Sequence, residues 1–272
     1  MQPMANVALR AARQAGQIIM RAFDRVDQLT IEEKAHNDFV SAVDRDAERA
    51  IVDHLRKAFP SHGFLGEELG AVEGGSEFTW IIDPLDGTLN FLQGIPHFCV
   101  SIAVQKGRQL EHAVVFDPVR NEAFVASRGH GAQLNDRRIR VSTRSRLEEA
   151  VLGTGLPPGA IPEHLDAYMN MLKDFTRTCR GIRRPGAAAL DLAYVAAGRT
   201  DGFWELALKP WDIAAGALLV REAGGFVGDL SGGDQHMRTG HIVAANPKCF
   251  RLMVQQVRPY LDERLREPAA GI

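Results

Sequence analysis

Cysteine is scarce in this chain. Only Cys99, Cys179 and Cys249 occur in 272 residues, far apart and odd in number. That excludes a disulfide framework and a paired-cysteine metal site, and leaves buried thiols in a reducing cytosol as the expectation. An excess of one charge is missing too: 32 basic side chains face 34 acidic ones, for a formal net charge of −2. Nothing therefore draws the whole chain toward nucleic acid or anionic lipid. No apolar run reaches the roughly 20 residues that span a bilayer. The apolar pattern from Met1 to Met20 is interrupted by Arg10 and Arg13, unlike a secretory leader. A cytoplasmic protein without a membrane segment is expected. The Gly-x4-Gly-Lys-Ser/Thr phosphate loop and the His-Glu-x2-His zinc motif are both absent, and the nine His residues are scattered. What remains is ordinary globular composition, 45% hydrophobic and 24% charged, in a chain long enough for a sizeable core.

Apolar residues at Val7, Ala8, Ala11, Ala12, Ala15, Ile18, Ile19 and Ala22 predict a helix over 4–23. A second helix is expected from Asp44 to Phe59, ended by Pro60. Thr79–Asp83 reads as a strand. Strands at Phe98–Gln105, Gln109–Phe116 and Glu122–Ser127, separated by turn-forming residues, read as an antiparallel meander. Beyond it, strands at 150–154, 178–182, 201–206, 225–228 and 241–245 alternate with helices at 162–173, 186–198, 211–223 and 247–262, which implies layered α/β packing. The expected organisation is one catalytic domain over 1–262. It has an α+β lobe to about residue 145 and an α/β lobe from about 146, with a frayed tail over 263–272.

The segment Trp80-Ile81-Ile82-Asp83-Pro84-Leu85-Asp86-Gly87-Thr88 carries the chemistry. It reads as a buried strand that Pro84 halts, leaving two carboxylates at its end. Two buried anions so close together need positive charge between them, and oxygen-only ligands favour a hard ion such as magnesium. Gly87 permits close backbone approach, and a short helix from Thr88 would offer N–H groups to a phosphate. A plainer alternative stands beside this reading: Asp86 caps the next helix and Asp83 bonds locally. Glu67 and Glu68 in Gly66-Glu67-Glu68 could likewise be solvated, and Asp212 in Trp211-Asp212 could simply serve its helix dipole. Together these acids suffice for two or three ions.

The set Gly66-Glu67-Glu68, Trp80 to Phe91 and Trp211-Asp212-Ile213-Ala214-Ala215-Gly216, with Arg183 to Tyr194 between them, resembles the inositol monophosphatase family of magnesium-dependent, lithium-sensitive phosphatases over about residues 4 to 262. The resemblance implies a layered αβαβα sandwich of the sugar-phosphatase type, which also includes fructose-1,6-bisphosphatases, and a homodimer. It implies that Glu67, Asp83 and the Leu85 carbonyl hold one magnesium, and that Asp83, Asp86 and Asp212 hold a second. A third, weaker ion would rest on Glu67. Gly87 and Thr88 amides would grip the phosphate, and Thr88 with Asp44 would activate the attacking water. Asp86, Asp212, Glu205, Gly186, Ala187 and, at the rim, Arg183 would contact the substrate. Leu69 and Ala187 stand where relatives often carry hydroxyl residues; neither position supplies a metal ligand.

Rival phosphatase chemistries fit less well. Asp83 and Asp86 are three apart, not the two of haloacid-dehalogenase enzymes, and Pro185 stands where a cysteine phosphatase loop from Cys179 needs Arg. Lone His97 reads as structural. A nucleotide or sugar-bisphosphate phosphatase is the nearest enzymatic alternative. Bacterial members of the family are also associated with transcription and RNA-processing complexes. A binding role would draw on Arg137, Arg138, Arg140, Arg144, Arg146, Arg183 and Arg184, although most of these would be ordinary solvated charges. Sequence-specific nucleic-acid binding is not expected.

Overall fold

A computed structural model describes residues 2–26, 31–35, 38–157, 161–262 and 265. The tail expected to fray lies outside the described residues except for Leu265. The chain opens with α1 (Pro3–Phe23), a short hairpin of β1 (Ile31–Ala35) and β2 (Asp38–Ser41), and α2 (Ala42–Ala58). β3 (Gly63–Gly66), β4 (Gly70–Val72), β5 (Phe78–Asp86) and the single-turn α3 (Thr88–Leu92) follow. β6 (Cys99–Lys106), β7 (Gln109–Asp117), β8 (Glu122–Ser127), β9 (Gly131–Leu134) and β10 (Arg137–Arg138) form the meander. The second half runs β11 (Val151–Thr154), α4 (Ile161–Thr178), β12 (Gly181–Arg183), α5 (Ala188–Ala196), β13 (Gly202–Glu205) and α6 (Pro210–Glu222). It ends with β14 (Phe226–Gly228), α7 (His236–Thr239), β15 (Ile242–Ala245) and α8 (Pro247–Val257).

Eight strands pair in the order β10-β9-β8-β7-β6-β5-β3-β4, and five in the order β12-β11-β13-β15-β14. Period-two alternation along β5 splits its side chains between two cores. Trp80 and Ile82 join the apolar faces of α1 and α2, whereas Ile81 faces α5 and α6. The latter two helices lie between the sheets. α6 is buried continuously from Ile213 to Val220, as a helix covered on all sides must be. The outer face of the second sheet (Leu152, Trp204, Val243) is covered by Phe175 of α4 and Met253 of α8. The result is the expected five-layer αβαβα sandwich.

Several boundaries differ from expectation. Pro84 interrupts the ladder without ending the strand: β5 pairs Asp83 with Ser101, skips two residues, and resumes at Asp86 opposite Cys99. Pro84 has no N–H to donate, so the missing rungs fall there, and the irregularity re-aims the strand end. Asp86 thus closes the strand instead of sitting in a turn. The strand expected at 178–182 begins only at Gly181, because α4 runs on to Thr178. The helix expected over 247–262 ends at Val257 and gives way to a 3-10 turn at Arg258–Tyr260.

Candidate active site

Strand register gathers the acids. β3 runs parallel to β5 with Gly66 beside Ile82, and the Glu67 N–H donates to the Ile82 carbonyl at 3.2 Å. Glu67 therefore lies alongside Asp83. The next amide turns away, the Glu68 N–H donating to Glu48 Oε1 at 3.1 Å. From the far side, the Ser101 hydroxyl, on the residue that pairs with Asp83, donates to the Trp211 carbonyl at 3.1 Å. That bond anchors the first turn of α6, where Asp212 accepts from the Lys209 N–H at 2.7 Å. Asp212 does sit at its helix N-terminus, where a dipole role is the plainer alternative, and it also caps the helix, but neither role removes the carboxylate from the cluster.

Asp83 is 2% exposed and Asp86 9%. Burial pushes the Asp83 carboxyl well above the ordinary carboxylate range, and the charges of Glu67, Asp86 and Asp212 push it further. The Leu85 N–H, 3.0 Å from Oδ1, works the other way. Asp86 is also raised by burial, against donation from the Ala189 N–H at 2.7 Å and the nearby His97. Asp86 does not cap α3, whose N-cap is Gly87 at φ 91° without a side-chain bond. It reaches instead to the start of α5, in the other half of the chain.

Among the described residues no three His, Cys, Asp or Glu side chains are grouped so that, as they stand, they could hold a metal ion. Glu67, Asp86 and Asp212 nevertheless all lie close enough to Asp83 for their charges to act on it. Carboxylates gathered in this way, with Asp83 and Asp86 buried and Glu67 and Asp212 half-buried, are a donor set that fits hard divalent cations. Magnesium would be held by Glu67, Asp83, Asp86 and Asp212, with the Leu85 carbonyl.

Thr88 stands beside this group. Its hydroxyl lies 3.1 Å from Asp44 Oδ1 and 2.9 Å from the Leu85 carbonyl. A hydroxyl has one proton, and both neighbours are acceptors, so Thr88 Oγ1 keeps lone pairs for a third group. Asp44 and Glu48 are one helical turn apart on α2 and are 1% and 4% exposed. Two buried acids at that spacing on an otherwise apolar face are a signal that sequence reading passed over for Glu48.

The second half supplies the opposite wall. Glu205, 8% exposed at the end of β13, is raised well above the ordinary range by burial and by Asp191, Asp212 and Asp86, with Arg184 opposing. Gly155 presses on it: a Cβ there would lie 2.2 Å from Oε1. Gly186 at φ 90° and buried Ala187 form the turn into α5. A Cβ on Gly87, itself at φ 91°, would fall 3.2 Å from that of Ala187. Arg183 is exposed and turns its Nη1 to the Ile182 carbonyl at 3.0 Å. Arg184 is the guanidinium acting on Glu205.

His97, expected to be structural, is not isolated. Its Nε2 is 3.4 Å from Asp191 Oδ1, and burial lifts Asp191 to about 6 despite that neighbour. Sequence reading did not single out Ser101, Asn90 or the Ala189 amide either, because each acts through a partner distant in the chain. Two of the arginines considered for a binding surface are engaged in ion pairs. Arg144 pairs with Asp201 at 2.9 Å and Arg146 with Glu149 at 2.9 Å. No described helix is long and apolar enough to cross a membrane.

Comparison with known proteins places this geometry. A model of the inositol monophosphatase family matches residues 1–262. The chain is 55% identical to "Nus factor SuhB" of Pseudomonas aeruginosa, over 98% of this chain and all of that one. It is 49% identical to the protein of the same name from Escherichia coli, again over 98% of this chain and all of the other. Among solved structures, extragenic suppressor protein suhB from Bartonella henselae superposes with a TM-score of 0.92 at 45% identity, covering 94% of this chain and 99% of the other. The inositol monophosphatase of Thermotoga maritima superposes with a TM-score of 0.85 at 38% identity, covering 95% and 98%.

Proposed function

The chain belongs to the inositol monophosphatase family, and on that premise we propose that it is a magnesium-dependent phosphatase of phosphate monoesters, with myo-inositol 1-phosphate as substrate. The observation that carries this reading is the gathering of Glu67, Asp86 and Asp212 about the buried Asp83 carboxylate at one strand end, fixed by the β3–β5 register and the Ser101–Trp211 bond, with the Thr88–Asp44 pair beside it. Bound magnesium would supply positive charge for the attacking oxygen, the phosphoryl oxygens and the leaving alkoxide, stabilising both ends of an in-line displacement.

The protein's own groups then have these tasks. The Gly87 and Thr88 amides, at a helix start whose N–H groups lack helical partners, bind phosphoryl oxygens. The Thr88 hydroxyl accepts a proton from the attacking water while its own proton passes to Asp44, at 3.1 Å. Glu205 and the backbone of Gly186 and Ala187 bind hydroxyls of the leaving alcohol. Each of Asp83, Asp86 and Asp212 is oriented by a backbone N–H, which preorganises the acids before any ligand arrives. Phosphate release from inositol 1-phosphate, fructose 1,6-bisphosphate and adenosine 3′,5′-bisphosphate, with and without magnesium, tests the assignment. No magnesium-dependent release from any of the three refutes it, and preference for a bisphosphate moves the substrate.

A second reading is favoured by the relatives' name, Nus factor: a binding role in transcription complexes that does not need hydrolysis. Rescue of a deletion strain by an Asp83→Asn protein would support it, and failure to rescue despite normal protein levels would count against it.

A further inference from the structure

Two halves of the chain meet at the catalytic turn through one side chain that has so far been given no role. Asn90 sits in α3, two residues after Thr88. Its Nδ2 lies 2.8 Å from the His97 carbonyl, 2.8 Å from the Pro185 carbonyl and 3.4 Å from the Gly186 carbonyl. Three carbonyl oxygens around one amide end fix its orientation, because only the NH2 group can donate and it carries two protons for them. The first of these bonds is local, but the other two are not: Pro185 and Gly186 are 95 and 96 residues away in sequence.

The same segment is tied a second time, where the Ala189 N–H donates to Asp86 Oδ2 at 2.7 Å. The Asn90 and Asp86 ties thus flank Gly186–Ala187, the turn that carries the substrate-side backbone. Contact is close throughout. A Cβ on Gly87 would lie 3.0 Å from the His97 carbonyl, and one on Gly186 would lie 3.3 Å from Asn90 Nδ2.

We propose that Asn90 is a positioning residue that fixes the Pro185–Ala187 turn against the catalytic turn, and so sets the orientation of the leaving alcohol without taking part in ion capture. The proposal rests on the phosphatase reading above. Asn90 touches neither the acids nor, on this geometry, the reacting oxygens. Its effect is confined to how well the second-half wall is registered against Thr88, and a misplacement of about 1 Å at such a wall costs about 10²-fold in rate.

The test uses the full chain with Asn90→Ala and Asn90→Asp, the latter near-isosteric but turning carboxylate oxygens toward three carbonyls. Inositol 1-phosphate and phenyl phosphate, whose leaving group has no hydroxyls for the wall to bind, are compared at saturating magnesium. Expected are a fall of about 10²-fold in kcat/KM for inositol 1-phosphate, a much smaller fall for phenyl phosphate, and unchanged Mn2+ affinity by calorimetry. A role limited to stability would lower both esters together and leave their ratio unchanged, and that result overturns the proposal. So does a loss of Mn2+ affinity. Hydrogen exchange gives a readout independent of turnover: the amides of 186–189 should exchange about tenfold faster in Asn90→Ala, as expected for loss of about one hydrogen bond. Unchanged exchange refutes the clamp even if the enzyme is active. Faster exchange in Asn90→Ala, together with a wild-type protein that hydrolyses neither ester, would leave the clamp standing and the functional reading refuted.

Discussion

Replacing Asp83 by Asn should move stability and activity in opposite directions. Asn keeps the side-chain shape and can still accept the Leu85 N–H that lies 3.0 Å from Asp83 Oδ1, but it removes the charge repelled by Glu67, Asp86 and Asp212. The folded pKa of Asp83 lies above its ordinary value of 3.8, so the folded protein holds that proton more tightly than the unfolded chain. Stability is therefore lost as pH rises from the unfolded value through the raised folded one, at about 1.4 kcal/mol per pKa unit. The neutral variant escapes this loss. In EDTA at pH 7.5 it should be more stable than wild type by about 1–4 kcal/mol, as when buried charges give way to neutral groups. That corresponds to a Tm rise of about 2–4 °C per kcal/mol for a chain of this size. Magnesium at 100-fold over its Kd should return about 2.7 kcal/mol to wild type and little to the variant, narrowing or inverting the order. Turnover should drop by about 10³-fold or more, because several kcal/mol of transition-state charge stabilisation are lost. Thermal melts with EDTA or magnesium, paired with phosphate release, decide the matter. A variant that is less stable in EDTA, gains as much as wild type from magnesium, and still turns over would refute the electrostatic account of this cluster.

Thr88→Ala should lower kcat by about 10²–10⁴-fold with little change in KM, while Thr88→Ser, which keeps the hydroxyl facing Asp44, should retain most activity; equal loss in both would show that the methyl group, not the proton path, matters. His241 is fully buried, its Nδ1 accepts from the Ala207 N–H at 3.0 Å, and burial lowers its pKa to about 4. The stability that goes with this neutral ring is present above the unfolded pKa of about 6.5 and is lost as pH falls toward 4, about 2 kcal/mol of it by pH 5. Because raised carboxylates such as Asp191 act with the opposite sign, the check is the difference in urea midpoint shift between wild type and His241→Gln from pH 7 to pH 5, which should favour the variant. Gly216→Ala in α6 would place a Cβ 2.4 Å from Leu192 Cβ on α5. Overpacking of about 1–3 kcal/mol should outweigh the gain of about 1 kcal/mol in helix propensity, and a higher urea midpoint would contradict the close α5–α6 contact.

The acidic turn was legible in the sequence because two carboxylates at the end of an apolar run violate the economics of burial. The alternating second half was legible because its helices and strands differ in period. What the residue pattern by itself left open, and only the family resemblance supplied, was which of Glu67 and Glu68 belongs to the cluster. That depends on β3, a four-residue strand with glycine at both ends, too short and too glycine-rich to announce itself. Its parallel register with β5 makes the choice. Nor could sequence give Ser101 to Trp211, Asp86 to Ala189 or Asn90 to Pro185, since each of those bonds joins residues that only tertiary packing brings together. The continuation of β5 past Pro84 was missed for a related reason: proline forfeits a rung, but the strand on either side is held by β6.

The placement of α6 between the two sheets makes chemistry a report on assembly. Glu67, Asp83 and Asp86 come from one half, Asp212 and Glu205 from the other, and neither half holds a full complement. Any partial opening that slides the halves apart would disperse this set of acids while most of each sheet remained intact, so the proposed turnover would be lost before the fold is.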